Sequence, residues 1–209
     1  MSTVMSQTPA VKPYFAHPQA LVETEDIGLG TRIWAFAHVL PGARIGAECN
    51  ICDHAFIETG VVLGNNVTIK NGVAIWQGVR VEDNVFLGPN CVLTNDPNPR
   101  AYIKKPGAAL QTTLIRANAT VGANATILCG VTIGRYAFIG AGAVVLRTVL
   151  DFALMVGNPA RQIGWMCHCA RRLPILASAS LNSSTTCPYC QAQFRATPTG
   201  LTMVEGYFS

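Results

Sequence analysis

Charged residues are scarce in this chain. They make up 12% of its 209 residues, and the 15 lysines and arginines are scattered, with no basic run and no interleaved aromatic side chains. A small protein has a large surface to cover, so this low charge content indicates that much surface is buried by extended stacking or by oligomerisation. The scatter makes nucleic-acid binding a poor prediction, whereas the net charge of +4 suits anionic small molecules.

Long apolar runs are also missing. No segment reaches the ~18 uninterrupted apolar residues of a membrane span, and residues 1–19 lack the charged start and apolar run of a signal peptide. We therefore predict a cytoplasmic protein with a short flexible lead-in over residues 1–20. Of the eight cysteines, we expect the four within the repeat described next to be buried thiols: Cys49, Cys52, Cys91 and Cys129.

The main positive signal is an aliphatic residue at every sixth position from Ile27 to Leu93, and Leu21 extends this series backwards. The residue two places earlier is small or β-branched almost throughout. A second series with the same period runs from Ile115 to Val145, but its first member does not fall on the six-residue beat counted from Leu93, so the register slips between them. A period of six fits neither a helix nor a simple alternating strand; it is typical of a parallel β-helix.

Each hexapeptide is expected to form a short strand and a corner, and three of them one triangular coil. The aliphatic side chain points inward, and the small residue before it avoids overfilling a narrow core. Corners favour residues for which a positive φ costs little. Asparagine recurs at the third place after the aliphatic residue, at Asn66, Asn84, Asn90, Asn118 and Asn124. We predict an all-β fold, a parallel β-helix of about six coils over residues 21–165.

The six-residue pattern stops at Thr94. Residues 94–114 carry three prolines together with the polar or charged side chains Asn95, Asp96, Arg100 and Lys104. An excursion of this length from a compact fold is usually functional, and the prolines make it stiff. We predict a loop that protrudes from the prism; the alternative is a tolerated surface insertion.

Residues 49–100 read CNICDHAFIETGVVLGNNVTIKNGVAIWQGVRVEDNVFLGPNCVLTNDPNPR. This segment resembles the hexapeptide-repeat acyltransferases, most closely those that acetylate nucleotide-linked 3-amino sugars for bacterial surface polysaccharides. GNPARQIGW, which ends at Trp165, is similar to the closing motif of many of these enzymes, and the resemblance covers the chain from Ile27 to there. It implies left-handed winding, a homotrimer with active sites between adjacent prisms, acetyl-CoA as co-substrate and a nucleotide-linked amino sugar as acceptor.

Asn95 departs from the members of this family that acetylate hydroxyl groups, which typically place a histidine directly after the threonine that opens the loop. An amide cannot serve as a general base. A sugar amine needs less help than an alcohol, since a useful fraction is neutral near pH 7. We assign Asn95 the role of orienting the amine, and Asp96 that of attracting the ammonium form and accepting a proton. The alternative for Asp96 is an Asx-turn before Pro97.

The resemblance also suggests binding residues. For the nucleotide sugar we select Trp76, Gln77, Arg100, Tyr102 and Lys104, with Arg100 paired to a pyrophosphate or else to a carboxylate that fixes the loop. Trp76 stacks on sugar or base, or packs at a subunit interface. The pantetheine arm is expected along the C-terminal coils, near Gly142, Ala143, Arg147, Pro159 and Arg161. Arg147 and Arg161 meet CoA phosphates or are simply solvated.

The composition changes in the tail, residues 166–209. Cys167 and Cys169 are followed by Cys187 and Cys190 in CPYC, which is similar to a small zinc ribbon, although one residue between the first two cysteines strains a normal knuckle. The alternative is free thiols in a loosely ordered tail. A structural zinc here would take no part in acetyl transfer.

Other functions compatible with the prism are a sugar O-acetyltransferase, a non-catalytic trimeric scaffold that binds nucleotide sugars, and a γ-type carbonic anhydrase. The last needs three histidine ligands, and only His38 and His54 lie in the coils, so it is disfavoured.

Overall fold

The computed structural model describes residues 13–103, 110–175, 177–178 and 180–205. Within these ranges every regular element is a β-strand. The described residues contain no helix with the length and apolarity that a membrane crossing needs.

Three parallel sheets form the walls of a prism, and successive strands visit them in turn. The first wall holds β1 (Phe15–Ala16), β3 (Arg32–Ile33), β6 (Asn50–Ile51), β9 (Thr68–Ile69), β12 (Phe86–Leu87), β15 (Thr120–Val121), β18 (Phe138–Ile139), β20 (Ala153–Val156) and the antiparallel β21 (Arg161–Trp165). The second wall holds β2 (Leu21–Val22), β4 (His38–Val39), β7 (Phe56–Ile57), β10 (Ala74–Ile75), β13 (Val92–Leu93), β16 (Thr126–Ile127) and β19 (Val144–Val145). The third holds β5 (Arg44–Ile45), β8 (Val62–Leu63), β11 (Val79–Val81), β14 (Thr113–Ile115) and β17 (Thr132–Ile133).

The predicted aliphatic series lines the core. Every member from Ile27 to Leu93 and from Ile115 to Val145 is at most 6% exposed. Leu21 is the exception and that prediction is wrong: its side chain is 54% exposed, because it aligns with the outward His38 while Val22 aligns with Val39. The register is therefore displaced by one residue in the first coil.

The corners also follow the prediction. All five asparagines at the third place have a positive φ, between 53° and 64°. Neighbouring corners bond to each other, since Asn66 Nδ2 donates to Asn84 Oδ1 at 2.8 Å. Where corner backbones stack directly there is no room for a side chain: a Cβ on Gly46 would collide with the carbonyl oxygen of Gly64.

The prism is taller than expected. The first wall contains eight parallel strands, from β1 to β20, so the estimate of about six coils was too low. At ~4.8 Å per strand, eight strands span about 34 Å. Part of the difference comes from residues 13–20, which were assigned to the lead-in but form the first coil: Phe15 pairs with Arg32, and Tyr14 is buried. Residues 1–12 lie outside the described part of the chain.

The interruption sits at one corner and leaves the coils beneath it intact. The second-wall strand β13 ends at Leu93, and the next strand, β14, begins at Thr113 in the third wall. Thr68 pairs with Phe86, and Phe86 pairs in turn with Thr120, although the second interval along the chain is nearly twice the first. The chain therefore makes an excursion between these two coils and then resumes stacking, which confirms the predicted interruption. It ends before Thr113 rather than after Leu114, because both residues belong to β14.

At its C-terminal end the chain turns back on the prism. β20 and β21 form an antiparallel hairpin whose turn contains a cis Asn158–Pro159 bond. The tail then forms a small antiparallel sheet of β22 (Ser184–Thr186), β23 (Gln193–Thr197) and β24 (Gly200–Glu205). Phe194 of this sheet is fully buried and packs edge-on against Phe152, with ring centroids 5.2 Å apart. The core of the prism thus continues into the tail.

Candidate active site

Both ends of the protruding loop are tied to the prism. Thr94 Oγ1 accepts the backbone N–H of Cys129 at 2.9 Å. The backbone N–H of Gln111 donates to the carbonyl oxygen of Asn95 at 2.9 Å, and that of Thr113 donates to Gly78 at 3.2 Å. The loop therefore leaves and re-enters at fixed points, which gives the residues near its base defined positions.

Two of the predicted site residues meet at this corner. Asn95 Nδ2 donates to the backbone carbonyl of Gln77 at 3.4 Å. The backbone N–H of Gln77 donates in turn to Glu58 Oε2 at 2.6 Å. Glu58, Gln77 and Asn95 thus form a column along one edge of three successive coils. The sequence analysis did not select Glu58. The stacking of successive coils pairs Ile57 with Ile75, which places Glu58 beside Gln77. The six-residue period could therefore have identified Glu58.

The other predicted site residues of the loop differ in their contacts and exposure. Asp96 Oδ1 accepts the backbone N–H of Asn98 at 2.9 Å, so the Asx-turn weighed as an alternative is present. Asn95 and Asp96 are half-buried, whereas Arg100 and Tyr102 are exposed. Lys104 lies outside the described residues.

An aromatic row leads from the column toward the N-terminal end. Trp76 is half-buried and its ring packs 5.5 Å from that of Phe56, which meets His38 edge-on at 5.6 Å. His38 Nε2 lies 2.8 Å from Glu23 Oε2. These side chains stack on the outer face of the second wall, so a planar group held near Trp76 has aromatic neighbours on one side.

A groove of about 470 Å³ lies at the C-terminal end and contains three of the predicted CoA contacts, Arg147, Pro159 and Arg161. It is formed where residues 145–148 meet the β20–β21 hairpin. Gly142 is exposed, and a Cβ there would meet nothing within 4 Å. Ala143 is fully buried, and its N–H and carbonyl bond to Gly140 and Thr126, so its methyl group faces the core.

The groove and the column share an edge of the prism. β13, β16 and β19 are consecutive in the second wall. Residues 94–95 follow β13 and residues 146–148 follow β19, so both lie where the second wall turns toward the third, two coils apart. At ~4.8 Å per coil this separation along the prism is about 10 Å.

Cys49, Cys52 and Cys91 lie at other corners of the prism, whereas Cys129 lies at this edge, where its backbone N–H holds Thr94. Cys91 is buried, and burial raises the pKa of its thiol to about 12. Burial also raises the pKa of Cys49, against hydrogen bonds that lower it. Thiols held protonated in this way are poor nucleophiles, which fits the predicted role of core filling.

The four tail cysteines come together. Their Sγ atoms all lie within 4.8 Å of one another. The Cys167 and Cys190 sulfurs are 3.4 Å apart, and those of Cys169 and Cys187 are 3.7 Å apart. This is a set of residues able to hold a metal ion.

Two family models match the chain. The bacterial transferase hexapeptide (six repeats) matches residues 60–95 and 112–147, and the hexapeptide repeat of succinyl-transferase matches residues 42–77. The gap in the first match coincides with the protruding loop. The prism is accordingly the left-handed β-helix of hexapeptide-repeat proteins.

Relatives define the group more narrowly. A dTDP-3-amino-3,6-dideoxy-alpha-D-galactopyranose 3-N-acetyltransferase from Aneurinibacillus thermoaerophilus is 53% identical over 162 residues, which are 78% of this chain and 83% of that protein. Serine acetyltransferase from Escherichia coli (strain K12) is 36% identical over 124 residues, 59% of this chain but only 37% of that enzyme.

Solved structures share the fold at low identity. UDP-N-acetylglucosamine acyltransferase from Campylobacter jejuni has a TM-score of 0.54 and 18% identity, covering 72% of this chain and 74% of that one. A hexapeptide-repeat acetyltransferase from Vibrio cholerae, complexed with acetyl-CoA, has a TM-score of 0.50 and 20% identity, covering 66% and 69%. The high identity over most of both chains in the Aneurinibacillus comparison shows that this chain belongs to the hexapeptide-repeat acyltransferases, within the group of nucleotide-linked 3-amino-sugar N-acetyltransferases.

Proposed function

We propose that this chain transfers the acetyl group of acetyl-CoA to the amine of a 3-amino-deoxy sugar carried on dTDP or UDP, for the synthesis of surface polysaccharide. The observation that carries the proposal is Asn95, held on Gln77 at the base of the loop. Hydroxyl acceptors need a base at this place, and an amide cannot supply one. An amine acceptor is already nucleophilic in its neutral form, so orientation is the help it needs most.

The reaction is an aminolysis. The neutral amine nitrogen attacks the thioester carbonyl, the new N–C bond forms, the C–S bond breaks, and the proton given up by the amine ends on the departing CoA thiol. Asn95 orients the amine. Asp96 attracts the ammonium form and passes on its proton, directly or through water. A backbone N–H at a coil corner stabilises the developing oxyanion.

Acetyl-CoA lies along the shared edge in this proposal. Its phosphates meet Arg147 and Arg161 in the groove, beside Pro159. Gly142 lies off this edge, at the corner between β18 and β19, and the open space over it leaves room for part of CoA to approach the backbone there. The distance of about 10 Å between groove and column supports this path, because an extended arm spans it easily.

The acceptor approaches from the other direction. The aromatic row from Trp76 to His38 supports stacking with the sugar or the base. Gln77 lies beside Asn95 and faces solvent. Arg100 binds the pyrophosphate bidentately, with Tyr102 and Lys104 of the same loop as further contacts.

The site is completed by a second copy of the chain in a homotrimer. The protruding loop exposes Tyr102 by 83% and Ile103 by 49%, and Val92 beside its base is 48% exposed. Exposed apolar side chains at the mouth of a site support contact with another subunit. Light scattering should give three times the mass of one chain; a monomer that retains full activity would overturn this assembly.

Two further proposals concern the setting. None of the eight cysteines forms a disulfide, which supports a cytoplasmic location. The four tail cysteines hold a structural zinc ion, away from the transfer chemistry, and this is supported by the spacing of their sulfurs.

The acceptor specificity tests the whole proposal. Release of CoA thiol is measured with nucleotide-linked 3-amino sugars on dTDP and UDP, and with the matching 3-hydroxy sugars. We expect release with an amino sugar only. Faster release with the hydroxyl compound would indicate a sugar O-acetyltransferase, and nucleotide-sugar binding without any release would indicate a scaffold.

A further inference from the structure

The spacing of the four tail sulfurs matches one tetrahedral ion. Four thiolates around Zn²⁺ at about 2.3 Å place neighbouring sulfurs about 3.8 Å apart. The two pairs described above are separated by 3.4 and 3.7 Å. A disulfide needs about 2.05 Å between sulfurs, so the cluster has the size of a metal site.

The two ligand loops have matching backbones. The residue after the second cysteine has φ 60° in both, at Ala170 and at Gln191. Ala170 N–H donates to the carbonyl of Cys167 at 2.9 Å, and Gln191 N–H donates to that of Cys187 at 3.0 Å. The first turn therefore closes over one residue fewer, which accommodates the single residue between Cys167 and Cys169.

The tail sheet has too little core to fold by itself. The buried hydrophobic side chains contributed by its strands are Phe194, Ala196 and Leu201. A three-stranded sheet of this size needs a further constraint for stability, such as a metal ion or packing on another element.

Here the tail has that packing at the end of the prism. Asp151 forms a β-bridge with Gly200, its N–H donates to Thr199 at 2.9 Å, and its carbonyl accepts from Leu201 at 3.2 Å. A Cβ on Gly200 would collide with the Asp151 carbonyl oxygen, so this contact requires glycine. The tail thereby covers the last coil.

The same tail is continuous with the CoA groove. β21 supplies Arg161 and Gln162 to the groove and ends at Trp165, two residues before Cys167. Met166 N–H donates to the carbonyl of Phe152 at 2.8 Å, and Leu173 N–H donates to Trp165 at 2.9 Å. A displacement of the loop that holds Cys167 and Cys169 would therefore also displace β21, which lines the CoA groove.

We infer that the four cysteines bind one Zn²⁺, and that this ion fastens the tail as a cap on the prism and so holds the β20–β21 hairpin in its CoA-binding position. The inference rests on the zinc site and CoA groove proposed above. It gives the metal a role in cofactor affinity while leaving the chemistry of transfer to the loop.

Metal content tests the first half. The full-length purified chain should contain about one zinc per chain by elemental analysis. The double variant Cys187→Ser with Cys190→Ser should lose it, whereas Cys52→Ser, a free thiol outside the cluster, should keep it. Zinc below a tenth of an equivalent after growth in zinc-supplemented medium, or iron in its place, would overturn the assignment.

CoA affinity tests the second half, by calorimetry without an acceptor. Zinc removal with a chelator should weaken CoA binding about fivefold or more, within the usual range of coupling between sites. Gly200→Ala keeps all four cysteines but blocks the contact with Asp151, so it should retain zinc and still weaken CoA binding. Unchanged CoA affinity in zinc-free protein would refute the cap. Failure of the acetyl-transfer proposal is distinguishable, because it would leave zinc and CoA binding intact without turnover.

Discussion

In the coils, every member of the aliphatic series from Ile115 to Val145 is buried, whereas the loop that interrupts the coils exposes Tyr102 and Ile103 to solvent. Their hydrogen bonds differ in the same way. A coil residue such as Thr68 donates to a carbonyl in the next coil, at 2.9 Å, and this is repeated up the wall. In the loop, Ile103 N–H donates to Arg100, within the loop itself.

This difference separates two kinds of constraint. Residue identity in the coils is fixed by what fits inside a narrow prism, so changes there act on stability. Residue identity in the loop is not fixed by packing within one chain, so substitutions there change binding and activity rather than stability. Matched pairs of variants, one from each region, test this separation.

The largest expected effect is on stability. Ile69 is fully buried at the centre of the first wall, and Ile69→Ala should lower the free energy of unfolding by about 2–5 kcal/mol. Ile103, which is 49% exposed, should lose no more than about 0.5 kcal/mol on the same change. Denaturant unfolding of the two variants measures both. Equal losses would mean that the loop is packed as tightly as the coils.

The second pair compares two asparagines. Asn95→Ala should lower kcat/KM for the amino sugar about 100-fold, roughly 2.7 kcal/mol of transition-state stabilisation, with little change in melting temperature. Asn66 occupies a coil corner with φ 53°, and Asn66→Ala should cost about 1 kcal/mol of stability because alanine tolerates that φ poorly. Its kcat/KM should remain that of the parent. An unchanged rate for Asn95→Ala would remove the assigned role of that residue.

The coils were predictable because one geometry is repeated. Because the same six-residue spacing recurs many times, it predicts the strands of the walls, the buried aliphatic positions and the corner asparagines. The first coil escaped notice because Ala16, rather than an isoleucine, leucine or valine, aligns with Ile33. The repeat signal is weak where a small side chain fills the inward position.

The site was predictable only in part. Gln77 and Asn95 lie one full coil apart along the chain, so their contact follows from the repeat. Glu58 lies one position further than a full coil before Gln77 and reaches it through its side chain. Contacts of this kind depend on side-chain length and direction, which periodicity does not encode. The approach of the two cysteine loops in the tail likewise depends on turns outside the repeat.

The third pair of variants compares two corner glycines of the coils, one that is assigned to CoA binding and one that is not. Gly142 and Gly60 have φ 68° and 78°, and a Cβ on either would meet nothing within 4 Å. Alanine at each should cost about 1 kcal/mol through backbone strain. Only Gly142→Ala should also raise KM for acetyl-CoA, about fivefold, or roughly 1 kcal/mol, since its methyl group would enter the open space that the proposal gives to CoA at that corner. An equal KM for the two variants would place the arm elsewhere.

The smallest expected effect is that of Thr113, at the junction of the loop and the coils, and its matched residue is Thr31, a buried threonine within the coils. Thr31 Oγ1 donates to the Gly46 carbonyl at 2.7 Å and accepts from Cys49 N–H at 3.0 Å. Thr113, the first residue of the strand that follows the loop, is 1% exposed, and its hydroxyl has no hydrogen-bond partner among the described residues. A buried hydroxyl without a partner is destabilising.

Replacing that hydroxyl by a methyl group should therefore raise stability. Valine already occupies the equivalent place in the repeat at Val61, Val67 and Val79. Thr113→Val should increase the free energy of unfolding by about 1 kcal/mol or less, whereas Thr31→Val should decrease it by about 1–3 kcal/mol because Cys49 N–H would lose its acceptor. Unfolding curves of the two variants give opposite signs if the return from the loop leaves a polar group unsatisfied. A loss of stability in both would show instead that the Thr113 hydroxyl has a hydrogen-bond partner.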